Sequence, residues 1–287
     1  MATRLFSNRI ALSSALVATA TAGVYTALVY RRVSTTPPNT ITSANAVSES
    51  FAKSATIRNL VNPRGYVAMS DSRSVTLELP RRDSDEDDGW TGLASEQQGP
   101  SDQVLLASFV KGFFGGRVFQ PERIALGVLR LQAGPFPGKP FRLFCWRCRT
   151  LTEPGLTTPE RRIWSTEELS NDALPLPSST IFGAFQVAAI DIANTETDED
   201  PTVSASQGTT SSVDVLYGSS EGHFAGCHRF SVSREGRMVK LALECVTCNP
   251  TVDAPLRPAF MFWFHRVYAM LLFRDALSNV RQVARLE

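Results

Sequence analysis

Apolar and polar positions alternate with period two over residues 74–79 (Ser-Val-Thr-Leu-Glu-Leu), which predicts a strand with one buried face, and Pro80 stops it. Ser101 and Asp102 then supply a helix start for a segment that carries Val104, Leu105, Ser108 and Phe109 near one face and ends at Gly115-Gly116. Pro121 sits at a first-turn position before Ile124, Leu126, Val128 and Leu129, predicting a second short helix. Downstream the pattern turns to β-branched and aromatic runs, which predict strands over 141–149, 181–192, 213–217, 227–232 and 238–246. The Thr/Ser/Asp/Glu stretch between 192 and 213 reads as a long hairpin loop. Residues 260–285 lack Gly and Pro and follow Pro258, so a long C-terminal helix closes the chain. Phe260, Phe264, Val267 and Leu271 share one face of it, and Met261, His265, Tyr268 and Leu272 the next, so its first half should pack deeply.

The N-terminal end follows a different pattern. No charge occurs from Ile10 to Tyr30, a run of about 21 residues that at 1.5 Å per residue would cross a hydrocarbon core of roughly 30 Å. Ala, Ser and Thr dominate it, which makes it a marginal span. A cleavable secretory signal, with Ala18-Thr19-Ala20 as cleavage site, an organellar presequence and a merely buried helix compete with the anchor reading. Glu49 is the first acidic residue, whereas Arg4, Arg9, Arg31 and Arg32 precede it among many hydroxyl residues, a bias of mitochondrial leaders. The expectation is therefore a transmembrane or targeting segment over 1–32 at a mitochondrial membrane, its cleavage and orientation left open. Residues 33–54, rich in Ser, Thr and Asn and holding Pro37-Pro38, read as a flexible spacer. The globular domain is expected over 55–287, with disordered loops near 81–100 and 193–212. The acidic run from Asp83 to Asp88 repels itself and reads as solvated loop.

The fold class expected is α+β: a curved antiparallel sheet gripping a long C-terminal helix, behind a single N-terminal transmembrane or targeting helix. Strand, two short helices, about five strands and a long helix resembles the helix-grip order of the START and Bet v 1-like superfamily. That resemblance implies a sheet wrapped around a helix and an internal cavity; members mostly hold lipids or other apolar ligands, and some are cyclases or assist mitochondrial ubiquinone. A second likeness covers about 213–280. Tyr217-Gly218-Ser219-Ser220-Glu221-Gly222-His223, then Gly226-Cys227-His228-Arg229-Phe230-Ser231-Val232, then the helix around His265, is similar to an uncharacterised domain family. That family carries a Gly-Thr-Leu-like turn, a His and a Gly-Glu-Glu-Arg-Phe strand. Cys227-His228 stands here where that family has an acidic pair, and the likeness implies no activity.

With 43% apolar residues a core is affordable in chain length, and a net charge of +1 gives no basic excess, so nucleic acid is not expected as a partner. The five cysteines are odd in number and no Asn-x-Ser/Thr has a permitted middle residue, both leaning away from a secreted disulfide scaffold. Cys145-Trp146-Arg147-Cys148 and Cys245-Val246-Thr247-Cys248 are two C-x-x-C pairs, read as buried thiols, zinc ligands or a redox disulfide. On a strand, positions i and i+3 face opposite sides, which disfavours convergence within a pair. His223, His228 and His265, with Cys227, are further metal candidates only if they converge. Gly218-Ser219-Ser220-Glu221-Gly222 fits a nucleophile-elbow spacing, with Asp253 and His265 following, but lies between two strands and reads as a hairpin turn. Phe113-Phe114-Gly115-Gly116-Arg117-Val118-Phe119 reads as a helix–helix turn near a cavity floor or mouth. Phe260, Phe262, Trp263 and Phe264 form the densest aromatic cluster, read as sheet-facing core, cavity lining or membrane contact.

The expectation for function is a membrane-tethered module holding a lipid-like or isoprenoid ligand, with His265, Arg229, His228, Trp263, Tyr268 and Phe264 as ligand-binding candidates. No catalytic residue, metal ligand or cofactor is assigned. The alternatives are a docking or assembly protein and an enzyme of cyclase or hydrolase type.

Overall fold

A computed structural model of the chain describes residues 19–80, 99–129, 161–193, 210–258 and 260–286. The predicted strand over 141–149, the Cys145 and Cys148 pair and the acidic run at 83–88 lie outside the described residues.

In chain order the elements are α1 (19–33), β1 (Thr42–Ala44), α2 (Glu49–Ala52), β2 (Ala68–Glu78), α3 (Asp102–Gly115), α4 (Gln120–Leu129), β3 (Arg162–Ile163), β4 (Thr180–Ile181), β5 (Phe185–Asp191), β6 (Thr210–Gly218), β7 (Ala225–Glu235), β8 (Met238–Cys248) and α5 (Phe260–Val283). The strands form one sheet in the order β1-β2-β8-β7-β6-β5-β4-β3. The class is α+β as expected, but the sheet is mixed rather than antiparallel, because β3 pairs parallel to β4. The chain between those two short strands, which includes a 3₁₀ turn at Thr166–Glu168, is long enough to bring it back in the same direction.

The predicted strand over 181–192 is broken in two. Phe182 and Gly183 both take positive φ, 49° and 71°, so the chain turns between β4 and β5. Strand β2 starts earlier than the alternation at 74–79 indicated, and its added residues carry the site described below.

Alternation sorts the central strands into two faces. Val75 and Leu77 of β2, Val239, Leu241 and Leu243 of β8, Phe230 and Val232 of β7, and Val213 and Val215 of β6 join one core cluster. Helix α3 covers this front face and α5 packs along α3, meeting the sheet at β2. Helix α3 is buried on several sides (Leu105, Leu106, Phe109, Val110, Phe113, Phe114), and the Ser101 Oγ caps it by accepting from Val104 N at 3.4 Å. Phe109 bridges the layers edge-on, its ring centroid 5.2 Å from Phe230 and 5.7 Å from Phe273 of α5. The helices approach closely because position 112 is glycine: a Cβ there would lie 2.7 Å from the Ala276 carbonyl oxygen.

The back face holds a smaller cluster: Leu216, Ala225, Cys227, Val246 and Cys248 meet Phe51, Ile57 and Val61. Residues 33–54, expected to be a flexible spacer, therefore carry structure. Strand β1 pairs with β2, Val33 and Ile41 join the front cluster, Phe51 is fully buried, and Ser48 donates from N and Oγ to the Glu244 carboxylate. The Ser/Thr/Asn-rich composition concealed how few apolar anchors a short segment needs when a formed sheet receives them.

Among the described residues no helix is long and apolar enough to cross a membrane. The expected transmembrane helix is without support there. The described end of that segment, α1, is tied to the domain instead. Tyr25 donates to the Arg117 carbonyl at 2.6 Å, and Arg32 pairs with Asp275 of α5, which is 1% exposed and also accepts from Val118 N at 2.8 Å.

Candidate functional site

The front face changes character partway along its strands. On β2 the core-facing positions run Leu77, Val75, Arg73, Asp71, Met69; on β8 the partners facing them run Val239, Leu241, Leu243, Cys245, Thr247. On β7 they continue from Val232 and Phe230 to His228 and Gly226, and on β6 from Val213 and Val215 to Tyr217. Polar groups thus occupy the positions that period-two patterning assigns to core, at one end of all four strands. Burying such groups is costly unless they satisfy one another.

They do so around Cys245. Asp71 and His228 are its in-register neighbours on either side, and His265 reaches over from α5. One Asp71 oxygen lies 3.3 Å from His265 Nε2, while the other accepts from Arg73 Nη1. Arg73 Nη2 donates to the Arg266 carbonyl at 3.0 Å, which fixes the guanidinium beneath the first turns of α5. The Tyr217 hydroxyl lies 3.0 Å from Cys245 Sγ and also bonds Thr247 Oγ1, and its ring stacks on His228 with centroids 4.5 Å apart. Tyr217 lies flat across β7 only because its in-register partner is Gly226; a Cβ there would enter the phenol ring.

Above this cluster, between the sheet, α3, α4 and α5, is a cavity of about 540 Å³. Phe113, Phe119, Phe185 and Leu272 give it apolar walls, and Asp71, His228, His265, Tyr217 and Thr247 give it a polar floor. Glu122 and Tyr268 form a second polar pair on its wall, with Tyr268 donating to Glu122 at 2.8 Å. The hairpin turn at 218–223 and the loop residues Leu256, Arg257 and Pro258 complete the lining.

The electrostatics follow from burial set against neighbours. The hydrogen bond to Asp71, helped by Cys245 and opposed by burial, raises His265 to about 10. Burial alone would raise Asp71, but His265 and Arg73 outweigh it and hold the carboxyl below its usual value. Burial also opposes a Cys245 thiolate; the His228 and His265 imidazoles beside it prevail and lower the thiol. Glu122 is raised by burial, and Tyr268 by burial and the adjacent Glu122.

Three of the expected binding residues, His265, His228 and Tyr268, line the cavity. Arg229 faces away: it forms a bidentate pair with Asp214 at 2.7 and 2.8 Å, its guanidinium 4.5 Å from the Phe51 ring centroid on the back face. Trp263 and Phe264 are neither sheet-facing core nor cavity lining; they are 71% and 54% exposed, and Phe264 stacks outside on Tyr268. His223 lines the cavity, whereas Cys227, suggested as its companion, is buried on the back face. The Cys245 and Cys248 pair diverges as strand geometry requires, Cys248 lying on the back face with its Sγ 3.4 Å from the Val61 carbonyl. Gly218 takes a φ of 82° and Ser219 N donates to Phe224 O at 3.0 Å, so that segment is a hairpin turn and not a nucleophile elbow. Asp71, Arg73, Cys245 and Tyr217 had no place among the expected binding residues. The signal available in the sequence was a run of polar residues at core-facing positions once β2 is extended back to Ala68 in the same phase.

A thiol flanked by histidine and aspartate has the residue types of a nucleophilic centre. Cys245, however, is 4% exposed and does not itself line the cavity, unlike Asp71, His228 and His265 around it. No protein-family model, curated protein or solved structure matches the chain.

Proposed function

We propose that the chain is a binding module for a single apolar, lipid-like or isoprenoid molecule with a polar head, working at a membrane. The observation that carries this reading is the cavity of about 540 Å³ with apolar walls and one polar floor. Sites for small ligands span roughly 300–1,000 Å³ and combine an apolar lining with a few placed polar groups. A tail that loses roughly 300 Å² of apolar surface gains about 7 kcal/mol before the costs of association are subtracted. Asp71, His265 and His228 would orient the head group. The sheet and C-terminal helix enclosing this space support a helix-grip-like architecture, with α3 taking a larger share of the sheet than that likeness implies. The acid-free, arginine-bearing leader supports a mitochondrial membrane as the address.

Expression of the full chain, followed by solvent extraction and mass spectrometry, tests the reading. One apolar species in near-stoichiometric amount supports it; a chain that yields none and takes up none from added lipid mixtures sinks it.

A second reading, a docking protein, draws on the first turns of α5. Phe260, Trp263, Phe264 and Val267 are exposed together, directly after the loop that lines the cavity. Aromatic residues of this kind suit a membrane interface or a protein partner. Sedimentation with lipid vesicles separates the two: binding lost in Trp263→Ser favours the membrane, and none at all favours a protein.

A further inference from the structure

Asp71, Cys245 and His265 each present one metal-ligating atom, and these atoms lie within 4.8 Å of one another. We propose that they form a binding site for one divalent transition-metal ion of the zinc class, with an open coordination position facing the cavity. The site does not depend on what fills the cavity.

The donor set selects the ion class. A thiolate with an imidazole favours zinc or cobalt over magnesium or calcium, which prefer all-oxygen shells. Three protein ligands from three separate elements, β2, β8 and α5, are the number that leaves a tetrahedral ion one free position. Two of the ligands are preset. Asp71 has its outer oxygen held by Arg73, which leaves Oδ1 turned to His265. Cys245 is fixed within β8 with the Tyr217 hydroxyl 3.0 Å from its sulfur. The ion would take the place of the proton shared between Asp71 and His265. Next to the site His228 is 9% exposed, lines the cavity floor, and has a buried Nδ1 without a hydrogen-bond partner among the described residues.

Charge counting says what fills the open position. Thiolate and carboxylate cancel the two charges of the ion, and Arg73, itself 4% exposed, leaves one positive charge over. An uncompensated buried charge is costly. An anionic group in the open position, hydroxide or the carboxylate of an apolar acid, restores neutrality.

The test uses the full chain carrying Cys145→Ser and Cys148→Ser, so that those thiols cannot contribute, stripped with chelator and titrated with cobalt(II) and then zinc. One cobalt per chain, with a sulfur-to-cobalt charge-transfer band and tetrahedral visible bands, is expected, and zinc should displace it. Cys245→Ser should abolish the charge-transfer band, while Cys248→Ser and Cys227→Ser, altered on the back face, should keep it. His265→Gln lies on a partly exposed helix surface; it should weaken zinc binding by more than the roughly 10–100-fold that loss of an outer-shell partner causes. Absence of a stoichiometric thiolate–cobalt band in the parent chain overturns the proposal, and so does a band that survives Cys245→Ser or His265→Gln unchanged.

Discussion

The two ends of the sheet's front face share strands, register and burial, yet one end is filled and the other is not. At the first, Phe230, Val232, Leu241 and Val75 meet Phe109 and Phe273, and the rings interlock edge-on. At the second, Asp71, Cys245, His228 and Tyr217 meet a cavity of about 540 Å³. The apolar end is a stability device. The polar end spends burial on groups that must satisfy one another, which is worthwhile only where something is to be bound. Substitutions at either end should therefore differ in kind and in size.

The largest effect belongs to the filled end. Phe230→Ala should cost about 3–5 kcal/mol of global stability, read by chemical denaturation, because the Phe109, Phe113 and Phe114 rings around it lose their partner. At the polar end, Gly226→Ala should cost about 1–3 kcal/mol by forcing the Tyr217 ring off β7, and it should also change the shape of the cavity floor. Tyr217→Phe keeps the ring and removes only the hydroxyl between Cys245 and Thr247; a loss of about 1 kcal/mol is expected. An effect of Tyr217→Phe as large as that of Phe230→Ala would erase the distinction between the two ends.

The polar end should also differ in its pH dependence. His265 has its folded value raised from 6.5 to about 10, so the stability it contributes is complete below about pH 6.5 and fades as pH rises toward 10. In the metal-free protein the stability gap between the parent and His265→Gln should therefore narrow across that window. Melting temperatures measured at several pH values check it; a gap that is constant or widens with pH counts against the Asp71–His265 pair.

The apolar end was legible in the sequence and the polar end was not, for one physical reason. Period-two patterning recognises a strand by its apolar positions, so 74–79 was read correctly while 68–73 was not, although Met69, Asp71 and Arg73 continue the same phase. His228 and His265 could be singled out as types, but His228 meets Cys245 only through the register of β7 with β8, and His265 only because α5 packs against β2, tertiary relations that no local pattern records. The same blindness assigned Arg229 to the cavity: one position along β7 reverses the face, and only the register with Asp214 shows which. The first turns of α5 misled in the opposite sense, since aromatic density there marks an exposed surface and not the core.

If the polar end is a ligand site, filling its cavity should abolish or weaken binding there. Ala269 is buried on α5 and lines the cavity, so Ala269→Trp should occupy the space from its helix side. Titration of the full chain with a fluorescent long-chain fatty acid should show saturable one-to-one binding. Ala269→Trp, checked to melt cooperatively, should weaken that binding at least about tenfold, which corresponds to 1.4 kcal/mol. Equal binding by the parent and Ala269→Trp would contradict the account, as would no binding of fatty-acid or prenyl probes by either.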